Sequence, residues 1–374
     1  MDKKSNVLKI CLVTVTLSDG GAERCAALLS KYFDTQGFEV YHVVFSGKVE
    51  YDFAGKIFHL EHLKDKRNSW WSRSKRFFAL KKFFANNHFD YVIDFRTKQH
   101  FLQELIIHNF IYPKFIQTIH SFKLKSYLPN NTFLAKQLYK NCQQFITVSQ
   151  GINDKVSSKY KFIPSQIINN PIDFESISEK ANELISDDFQ YVLSAGSMNK
   201  NVKQFDKLIA CYSKSDLPKK NIKLLILGDG KLKKKWIQLA ASLNLQEMVI
   251  FKGNVKNPFR YFATALFTIS TSKYEGMPMV LLESLACKTP IISWNYASGP
   301  NEIITNDVNG LLVENQDSEK LIEAINLFVS DNNLYLQCKE NALISVKKFS
   351  LETIGKEWLM VFKNIVHNND LQNN

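Results

Sequence analysis

Two glutamates, Glu275 and Glu283, stand eight positions apart around the segment Gly276-Met277-Pro278, where a loop pattern runs into a helical one. A carboxylate accepts hydrogen bonds from hydroxyl groups, and the N–H groups at the start of a helix favour a negatively charged ligand. With Glu275 on the loop and Glu283 two turns into the helix, the segment predicts a site for a polyhydroxylated anion. Taken singly, each glutamate fits an exposed surface position equally well.

Further loops follow strand-like runs and precede helical patterns. In the loop that contains Gly20 and Gly21, paired glycines let backbone N–H groups approach a phosphate or a sugar, but the spacing is not that of a GxGxxG dinucleotide fingerprint. A second loop contains Gly196 and, near an expected helix start, Lys203. The ammonium group of Lys203 would neutralise a diphosphate. The run Gly228-Asp229-Gly230 lacks the ending of a P-loop, which disfavours ATP hydrolysis by that route. Each loop alone is also compatible with an ordinary turn.

The elements that must position these loops alternate between short β-branched runs and amphipathic helical patterns. Strand-like runs cover 8–16, 40–45, 91–95, 115–120 and 145–148 in the first half, and 191–195, 224–227, 249–251, 266–270, 291–293 and 311–313 in the second. Helical patterns such as 22–35 and 71–86 lie between them. This alternation predicts an α/β protein built from two Rossmann-like, doubly wound lobes with parallel sheets.

The length supports two lobes, because 374 residues exceed the roughly 250 to 300 at which one hydrophobic core stops growing. We expect a first domain at 1–170, a linker at 171–188, a second domain at 189–350 and a C-terminal helix at 351–374 that crosses back to the first domain. Asn170-Pro171 is a plausible turn at the join. Doubly wound lobes bind ligands beyond the carboxyl ends of their strands, so we expect function in a cleft between the lobes.

The composition excludes several classes of protein. Hydrophobic residues make up 45% and charged residues 22% of the chain, which is ordinary for a globular protein and excludes disorder, collagen and coiled coil. No apolar run approaches the roughly 20 residues of a membrane-spanning helix, and no secretory signal is recognisable. The six cysteines are scattered without a CxxC motif, so we expect reduced core cysteines in the cytoplasm.

The formal net charge of +12 is concentrated in the first half of the chain. Residues 1–186 hold 26 Lys and Arg against 17 Asp and Glu, whereas residues 187–374 hold 22 against 19. Between residues 64 and 82, eight basic residues and interleaved aromatic residues accompany a single acid, Asp65. This mixture suits an anionic membrane surface, although an ordinary exposed helix explains it as well. The candidates for membrane or acceptor contact are Arg67, Trp70, Trp71, Arg73, Lys75 and Arg76.

The motifs together resemble the family-4 retaining glycosyltransferases of the GT-B fold. The resemblance covers nearly the whole chain and is most specific in the two-glutamate segment. It is carried by GGAER at 20–24, Thr118-Ile119-His120, Lys203, GDG at 228–230, EGMPMVLLE at 275–283, SGPNEII at 298–304 and NGLLV at 309–313. The basic segment at 64–82 is similar to that of bacterial enzymes that extend lipid-linked oligosaccharides.

The resemblance implies a role for each matched residue. Glu283 would bind the ribose hydroxyls of a nucleotide sugar, Glu275 the hydroxyls of the donor sugar, and Lys203 the diphosphate. His120 would lie over the donor sugar near the reacting carbon, although a histidine buried in the core is the alternative. The remaining positions that would line the nucleotide sugar, on its diphosphate or acceptor side, are Gly20, Gly21, Gly196, Gly276, Met277 and Pro278.

One position departs from the family pattern. The family usually pairs the lysine with an arginine shortly after the strand, and here that position is Ser197. One of two cationic ligands of the diphosphate is therefore missing or displaced, with Lys200 as the nearest substitute. Low diphosphate affinity or a different donor is the alternative.

The resemblance implies transfer of a hexose or N-acetylhexosamine from a nucleotide sugar, expected to be UDP-linked, to a lipid-anchored glycan in the synthesis of bacterial surface glycans. The anomeric configuration of the sugar would be retained. The protein would act in the cytoplasm, bound to the inner face of the cytoplasmic membrane. No metal is expected, because the chain has no DxD spacing, and no nucleic-acid signature is present. A UDP-sugar epimerase of the same fold and a glycan-binding protein without activity are the alternatives.

Overall fold

The computed structural model of the protein describes residues 7–18, 20–65, 69–98, 100–185 and 189–373, with side chains to residue 367. The chain forms two compact units. Unit 1 comprises Met1–Pro171 and Leu351–Asn374, and unit 2 comprises Ile172–Ser350. Each unit has its own sheet and its own hydrophobic core.

Unit 1 contains a parallel sheet that, in the described part of the chain, has seven strands. The strands are β1 Lys9–Thr14, β2 Glu39–Val44, β3 Lys56–His59, β4 Tyr91–Asp94, β5 Phe115–Ile119, β6 Cys142–Thr147 and β7 Ser165–Ile167. Their order in the sheet is β3-β2-β1-β4-β5-β6-β7. The central strands are nearly continuous runs of buried side chains, as expected when helices cover both faces.

Helices connect most of the consecutive strands of unit 1. They are α1 Gly21–Thr35, α2 Trp70–Asn86, α3 Phe101–Ile106, α4 Thr132–Leu138 and α5 Gln150–Lys159, and α3 continues into a π-helical segment, Ile107–Ile111. Because α1 leads toward β3 while α2 to α5 lead toward β7, the crossover rule puts α1 on one face of the sheet and the other four on the opposite face. Val40 of β2 accordingly shares a core with Phe33 of α1, whereas the next residue, Tyr41, packs its ring 6.1 Å from that of Phe83 in α2.

Unit 2 repeats this architecture with a six-stranded parallel sheet across the residues that are described. Its strands are β8 Tyr191–Ala195, β9 Lys223–Leu227, β10 Val249–Gly253, β11 Thr268–Ser270, β12 Ile291–Trp294 and β13 Gly310–Val313, in the order β10-β9-β8-β11-β12-β13. Its helices are α6 Phe174–Ala181, α7 Phe205–Lys214, α8 Lys233–Ser242, α9 Phe259–Thr264, α10 Met279–Ala286, α11 Pro300–Ile303, α12 Ser318–Ser330 and α13 Asn332–Ser345.

The last helix, α14 Leu351–Asn373, packs on unit 1. Trp358 meets Phe33 edge to face with ring centroids 6.5 Å apart, and Phe362 stacks on Tyr91 at 4.1 Å. Short 3-10 turns at Leu60–Leu63, Leu124–Ser126 and Lys347–Phe349 complete the described helical segments.

The prediction of an α/β protein with two parallel, doubly wound sheets is confirmed. Strands β3 and β7 have no counterpart among the predicted runs, since both are edge strands whose short sequences, KIFH and SQI, are only partly buried. The segment 171–188, expected to be a linker, contains α6, which packs against α9 within unit 2. A short amphipathic helix followed by polar residues resembles a linker in composition.

All six cysteines are buried and unpaired. In the described part of the chain, no helix combines the length and the apolar character that crossing a membrane requires.

Candidate functional site

The predicted residues of unit 2 meet where the chain order of its sheet reverses. Strands β8 and β11 are neighbours; from β8 the chain continues to one side of the sheet and from β11 to the other. Open parallel sheets bind ligands at such a point, beyond the carboxyl ends of the strands. The loop after β8 carries Gly196 and Lys203, and the loop after β11 carries Glu275.

Lys203 and Glu275 form an ion pair at this point, with Nζ 2.8 Å from Oε1. Their side chains are 19% and 20% exposed, so a ligand in solution can reach both. The two loops are also joined through the backbone: Thr271 Oγ1 donates to the carbonyl of Lys203 at 2.9 Å, and the N–H of Lys273 donates to that of Val202 at 2.8 Å. The pair is therefore held by the fold itself.

Gly196 lies beneath the aliphatic chain of Lys203. A Cβ at Gly196, whose φ is 155°, would lie 2.6 Å from Cε of the lysine. Glycine is therefore needed for the lysine to lie along this loop. Helix α7 begins at Phe205 behind a left-handed Gln204, so Lys203 is the end of the loop and is not yet in the helix.

Buried hydroxyl groups support Glu275 and were missed by the sequence analysis. Ser272 Oγ donates to Glu275 Oε1 at 2.9 Å, and the hydroxyl of Tyr296 lies 3.4 Å from Ser270 Oγ. Burial is the main cause that raises the pKa of Tyr296, and the negative charge of Glu275 is the second. The hydroxyl of Tyr296 therefore remains a neutral donor. The available signal was the run of hydroxyl residues at 270–272, directly after a buried strand.

Glu283 is closer to the start of its helix than predicted. Helix α10 begins at Met279 behind Pro278, which puts Glu283 little more than one turn into the helix, not two. The loop extends through Pro278, so the helix starts later than the apolar pattern of the segment predicts. The side chain of Glu283 is buried.

The loop from Gly276 to Pro278 is braced by the segment that precedes α11. Ser298 Oγ donates to the carbonyl of Gly276 at 2.7 Å. Gly299 has a φ of 104°, and a Cβ there would collide with the ring of Pro278. Met277 is buried, so its side chain packs within unit 2. The predicted motifs at 275–283 and 298–304 thus form one structural feature.

Ser197 and Lys200 are exposed on the loop after β8. The GDG turn lies beside this loop, because the N–H of Met198 donates to the carbonyl of Asp229 at 2.9 Å and the N–H of Leu232 to that of Met198 at 3.0 Å. A longer cationic side chain at position 197 would therefore extend from the surface of the same loop pair.

Unit 1 has its own reversal of chain order, between β1 and β4. The loop after β1 leads to Gly20, whose φ is 127°, and α1 begins at Gly21. Asp19 lies outside the described residues. His120 follows β5, which is separated from β1 by β4, so all three predicted residues of unit 1 lie at the carboxyl edge of the same sheet.

The imidazole of His120 is buried at both nitrogens, and neither has a hydrogen-bond partner among the described residues. Burial lowers the pKa of His120 to about 3, so the ring is neutral at physiological pH. Its ring lies 5.6 Å from that of Phe95. A neutral imidazole with free nitrogens can accept or donate a hydrogen bond to a ligand hydroxyl.

A buried charge network at the end of β4 was also missed. Arg96 Nη2 lies 2.8 Å from Asp94 Oδ2 and 3.0 Å from Glu104 Oε2, and Lys98 Nζ lies 2.7 Å from Asp94 Oδ2. Burial alone would raise the pKa of Asp94, but the charges of Arg96 and Lys98 outweigh it and hold the pKa well below its usual range. Charged residues at 94, 96 and 98, directly after a buried strand, were the available signal.

Helix α2 exposes part of its predicted membrane face. Trp70, Trp71, Arg73 and Lys75 are exposed, whereas Arg76 is only half-buried and faces inward with Leu80. Arg67 lies outside the described residues. Also within those residues, no group of three or more His, Cys, Asp or Glu side chains is arranged to hold a metal ion.

Two family models match the chain, and together they cover most of it. The model "Glycosyltransferase Family 4" matches residues 19–176, and "Glycosyl transferases group 1" matches residues 175–344. The chain belongs to the family-4 glycosyltransferases. The glycosyltransferase also has the GT-B fold. It aligns with the crystal structure of a mutant of Staphylococcus aureus TarM in complex with fondaparinux, alpha-GlcNAc-glycerol and UDP. The TM-score is 0.76 and the identity is 14%, over 95% of this chain and 100% of that chain.

Two relatives from Campylobacter jejuni match the glycosyltransferase over almost its whole length. One is an N-acetylgalactosamine-N,N'-diacetylbacillosaminyl-diphospho-undecaprenol 4-alpha-N-acetylgalactosaminyltransferase, 29% identical over 94% of this chain and 98% of its own. The other is named GalNAc-alpha-(1->4)-GalNAc-alpha-(1->3)-diNAcBac-PP-undecaprenol alpha-1,4-N-acetyl-D-galactosaminyltransferase, 29% identical over 96% and 99%.

Proposed function

We propose that the glycosyltransferase moves a hexose or an N-acetylhexosamine from a UDP-linked donor to a hydroxyl group of a lipid-anchored glycan, with retained anomeric configuration. Unit 2 binds the donor through Lys203, Glu275 and Glu283. Unit 1 contributes His120 and the Gly20-Gly21 loop. The glycan belongs to a bacterial surface polysaccharide or glycoconjugate, assembled on the inner face of the cytoplasmic membrane.

The observation that carries the donor half of the proposal is the exposed Lys203–Glu275 pair at the reversal point of unit 2. A cation and a carboxylate side by side match the two chemical halves of a nucleotide sugar, a diphosphate and a polyol. UDP is the nucleotide bound in the TarM complex, which has the same fold.

The acceptor half is supported by the two Campylobacter jejuni relatives. Both are named for transfer to a glycan on undecaprenyl diphosphate, and both align with almost the whole of this chain. An N-acetylhexosamine donor is favoured among the sugars because both relatives are N-acetylgalactosaminyltransferases.

The negative charge that develops on the departing diphosphate explains why these residues would promote sugar transfer. Breaking the glycosyl–phosphate bond leaves negative charge on the departing diphosphate, and a cation already positioned there stabilises the transition state. In this proposal Lys203 exchanges Glu275 for the diphosphate, and Glu275 turns to the sugar hydroxyls. His120, neutral and without a partner among the described residues, hydrogen-bonds the sugar. The leaving diphosphate itself accepts the proton of the incoming hydroxyl.

Helix α2 supports contact with an anionic membrane, where a lipid-anchored acceptor resides. An ordinary solvated helix exposes its polar residues, but α2 exposes Trp70, Trp71 and Phe78 together with Arg73 and Lys75. Tryptophan and basic side chains are the usual anchors at the headgroup level of a bilayer.

The function is tested by measuring transfer of labelled sugar from UDP-N-acetylhexosamines to an extractable polyprenyl diphosphate glycan. We expect Lys203→Ala and Glu283→Ala each to lower the rate on the order of 10²- to 10³-fold, the usual cost of losing one electrostatic contact to the transition state. The exposed Lys219→Ala and Glu319→Ala serve as matched controls in unit 2 and should keep wild-type rates.

Wild-type transfer by the Lys203 and Glu283 variants would overturn the site. Conversion of the UDP-sugar to its epimer without acceptor would establish the epimerase instead. Tight UDP binding without turnover on any donor would identify a binding protein.

A further inference from the structure

Every strongly exposed tryptophan and phenylalanine among the described residues lies on three helical segments of unit 1. Trp70, Trp71 and Phe78 of α2 are 69%, 77% and 66% exposed; Phe110 of the π-helical segment is 72% exposed, and Phe133 of α4 is 66% exposed. Aromatic side chains bury the most apolar area of any residue type, so a soluble surface that gathers them together marks an interaction site.

The three segments belong to one layer of unit 1. The crossover rule puts α2, α3 with its π-helical continuation, and α4 on the same face of the sheet. They are also neighbours: the ring of Phe84 in α2 lies 5.0 Å from that of Tyr112, directly after the π-helical segment, and Asn109 Nδ2 donates to the carbonyl of Gln137 in α4 at 3.2 Å. Their outer surfaces therefore adjoin.

Helix α2 presents a mixed apolar and basic stripe away from the sheet. Trp71, Lys75, Phe78 and Lys82 are all exposed and follow the spacing of one helix face, whereas Leu80 on the opposite side is buried.

The next segment repeats this arrangement. Leu102, Ile106 and Phe110 are spaced four residues apart and exposed, while Glu104 and Ile107 between them are buried. The outward stripe of α3 and its continuation is thus composed of three apolar side chains. Such a stripe normally packs against another surface, so its exposure to water needs an explanation.

The charge around these stripes is predominantly positive. From residue 105 to residue 153 the chain has no Asp or Glu, and its lysines there are Lys114, Lys123, Lys125, Lys136 and Lys140. Lys136 and Lys140 are exposed; Lys136 shares a face of α4 with Phe133, and Lys140 lies in the turn after the helix. The segment that includes the π helix and α4 is therefore basic without any acid, although its positive charge is less dense than that of the 64–82 segment that precedes it.

We propose that an apolar face composed of Trp70, Trp71, Phe78, Leu102, Phe110 and Phe133 lies on an anionic lipid bilayer, so that the π-helical segment and α4 anchor the protein together with α2. This inference rests on the proposed membrane contact of α2. Basic side chains meet the anionic headgroups, and the aromatic rings enter the interfacial region between headgroups and acyl chains. A second copy of the chain is a poor occupant, because two basic faces would repel each other.

The inference is tested by flotation of the full-length protein with vesicles that contain phosphatidylglycerol, compared with vesicles of phosphatidylcholine alone. We expect the double variant Phe110→Asp/Phe133→Asp to lose at least about tenfold in partition coefficient, since each change removes an inserted ring and adds a repelled charge. Ile344→Asp, at an exposed apolar position of unit 2, is the matched control and should bind like the wild type. Urea unfolding followed by pulsed proteolysis, read for each unit separately, verifies that every variant is folded.

A second measurement reports insertion directly. In a Trp70→Phe/Trp71→Phe background the remaining tryptophans, Trp236, Trp294 and Trp358, are buried. Adding Phe110→Trp should then give emission that brominated lipids quench in anionic vesicles, with little quenching in the background protein.

The outcomes separate the two membrane proposals. If Trp71→Asp abolishes flotation and the Phe110/Phe133 variant floats like the wild type, the larger face is wrong and the contact of α2 stands. If no variant changes flotation, or the wild type does not float, both membrane proposals fail while the transfer proposal is untouched. Concentration-dependent self-association that the double variant abolishes would overturn the bilayer in favour of a second copy.

Discussion

At the scale of single residues, the proposed site gives Glu275 two roles that conflict. Without a ligand its carboxylate neutralises Lys203 at 2.8 Å and accepts from Ser272 at 2.9 Å. A diphosphate that binds Lys203 must displace this carboxylate, so the residue that would grip the sugar competes with the nucleotide when no sugar is attached. In the proposed mechanism, the ion pair would therefore favour binding of the complete donor over binding of the nucleotide alone.

Glu275→Gln should therefore separate UDP binding from transfer. We expect UDP to bind up to about fivefold more tightly, the range of a partly exposed ion pair. Transfer should fall about 10- to 100-fold, since a sugar hydroxyl loses a charge-assisted hydrogen bond of about 1.5–3 kcal/mol. Calorimetry with UDP and a transfer assay measure the two effects. Weaker UDP binding would mean that the carboxylate holds Lys203 in place instead of competing.

Ser197→Arg should restore the second cation that the family pattern usually has. Position 197 is exposed on the loop that also carries Lys203, so the side chain has room. We expect UDP binding about tenfold tighter, as for a charge-assisted hydrogen bond. Lys200→Ala is the companion variant: weaker binding would identify Lys200 as the present substitute, and unchanged binding by both variants would exclude this surface from the diphosphate site.

At the scale of elements, the loop from β4 to α3 is held by charges that water does not reach. Arg96 bridges Asp94 at the strand end and Glu104 in the helix, and its guanidinium lies 3.9 Å from the ring of Phe45. Phe95, between the two charged residues, packs on His120. The network therefore positions the β4 loop beside the histidine proposed to contact the sugar.

Arg96→Met should destabilise unit 1 by about 3–5 kcal/mol, because two buried carboxylates lose their shared partner. Adding Glu104→Leu should recover part of this loss by removing one of the unpaired charges. Lys356→Met breaks an ion pair of the same unit whose side chains are mostly exposed, and its effect should be negligible. Urea unfolding measures all three; a neutral Arg96→Met would show that the network is not needed for folding.

At the scale of the whole molecule, the histidines are distributed unequally between the two units. All eight histidines belong to unit 1, and residues 172–350 contain none. Burial lowers the pKa of His42 and His108 to about 4 and that of His120 to about 3. The unfolded chain binds protons at these positions near pH 6.5, and the folded chain does not.

Stability of unit 1 should therefore be complete above about pH 6.5 and decline as the pH falls toward 4. Each of the three histidines contributes a loss on the order of 2 kcal/mol between pH 7 and 5. Urea unfolding followed by pulsed proteolysis at each pH resolves the two units. The exposed His88→Gln should leave the profile unchanged; equal acid sensitivity of unit 2 would contradict this explanation.

Much of the fold was predictable because central parallel strands are buried on both faces and appear as continuous apolar runs. Strand β8 was predicted with its observed bounds, whereas the half-exposed edge strands β3 and β7 left no such run. The glycine loops and the two glutamates were recognisable because close backbone approach and helix starts restrict residue type locally.

The sequence by itself therefore determined the two parallel α/β sheets, the family, and which glycine and charged residues lie in the loops after the strands. Only the tertiary structure decided that Lys203 pairs with Glu275, that Tyr296 and its hydroxyl neighbours support the pair, and that Arg96 joins Asp94 to Glu104. It also decided that the exposed aromatic residues of α2, the π-helical segment and α4 lie in one layer. The physical reason is that local patterns fix backbone conformation, whereas ion pairs, burial and shared surfaces join residues far apart in the chain, and their partners are chosen by the order of strands in the sheet.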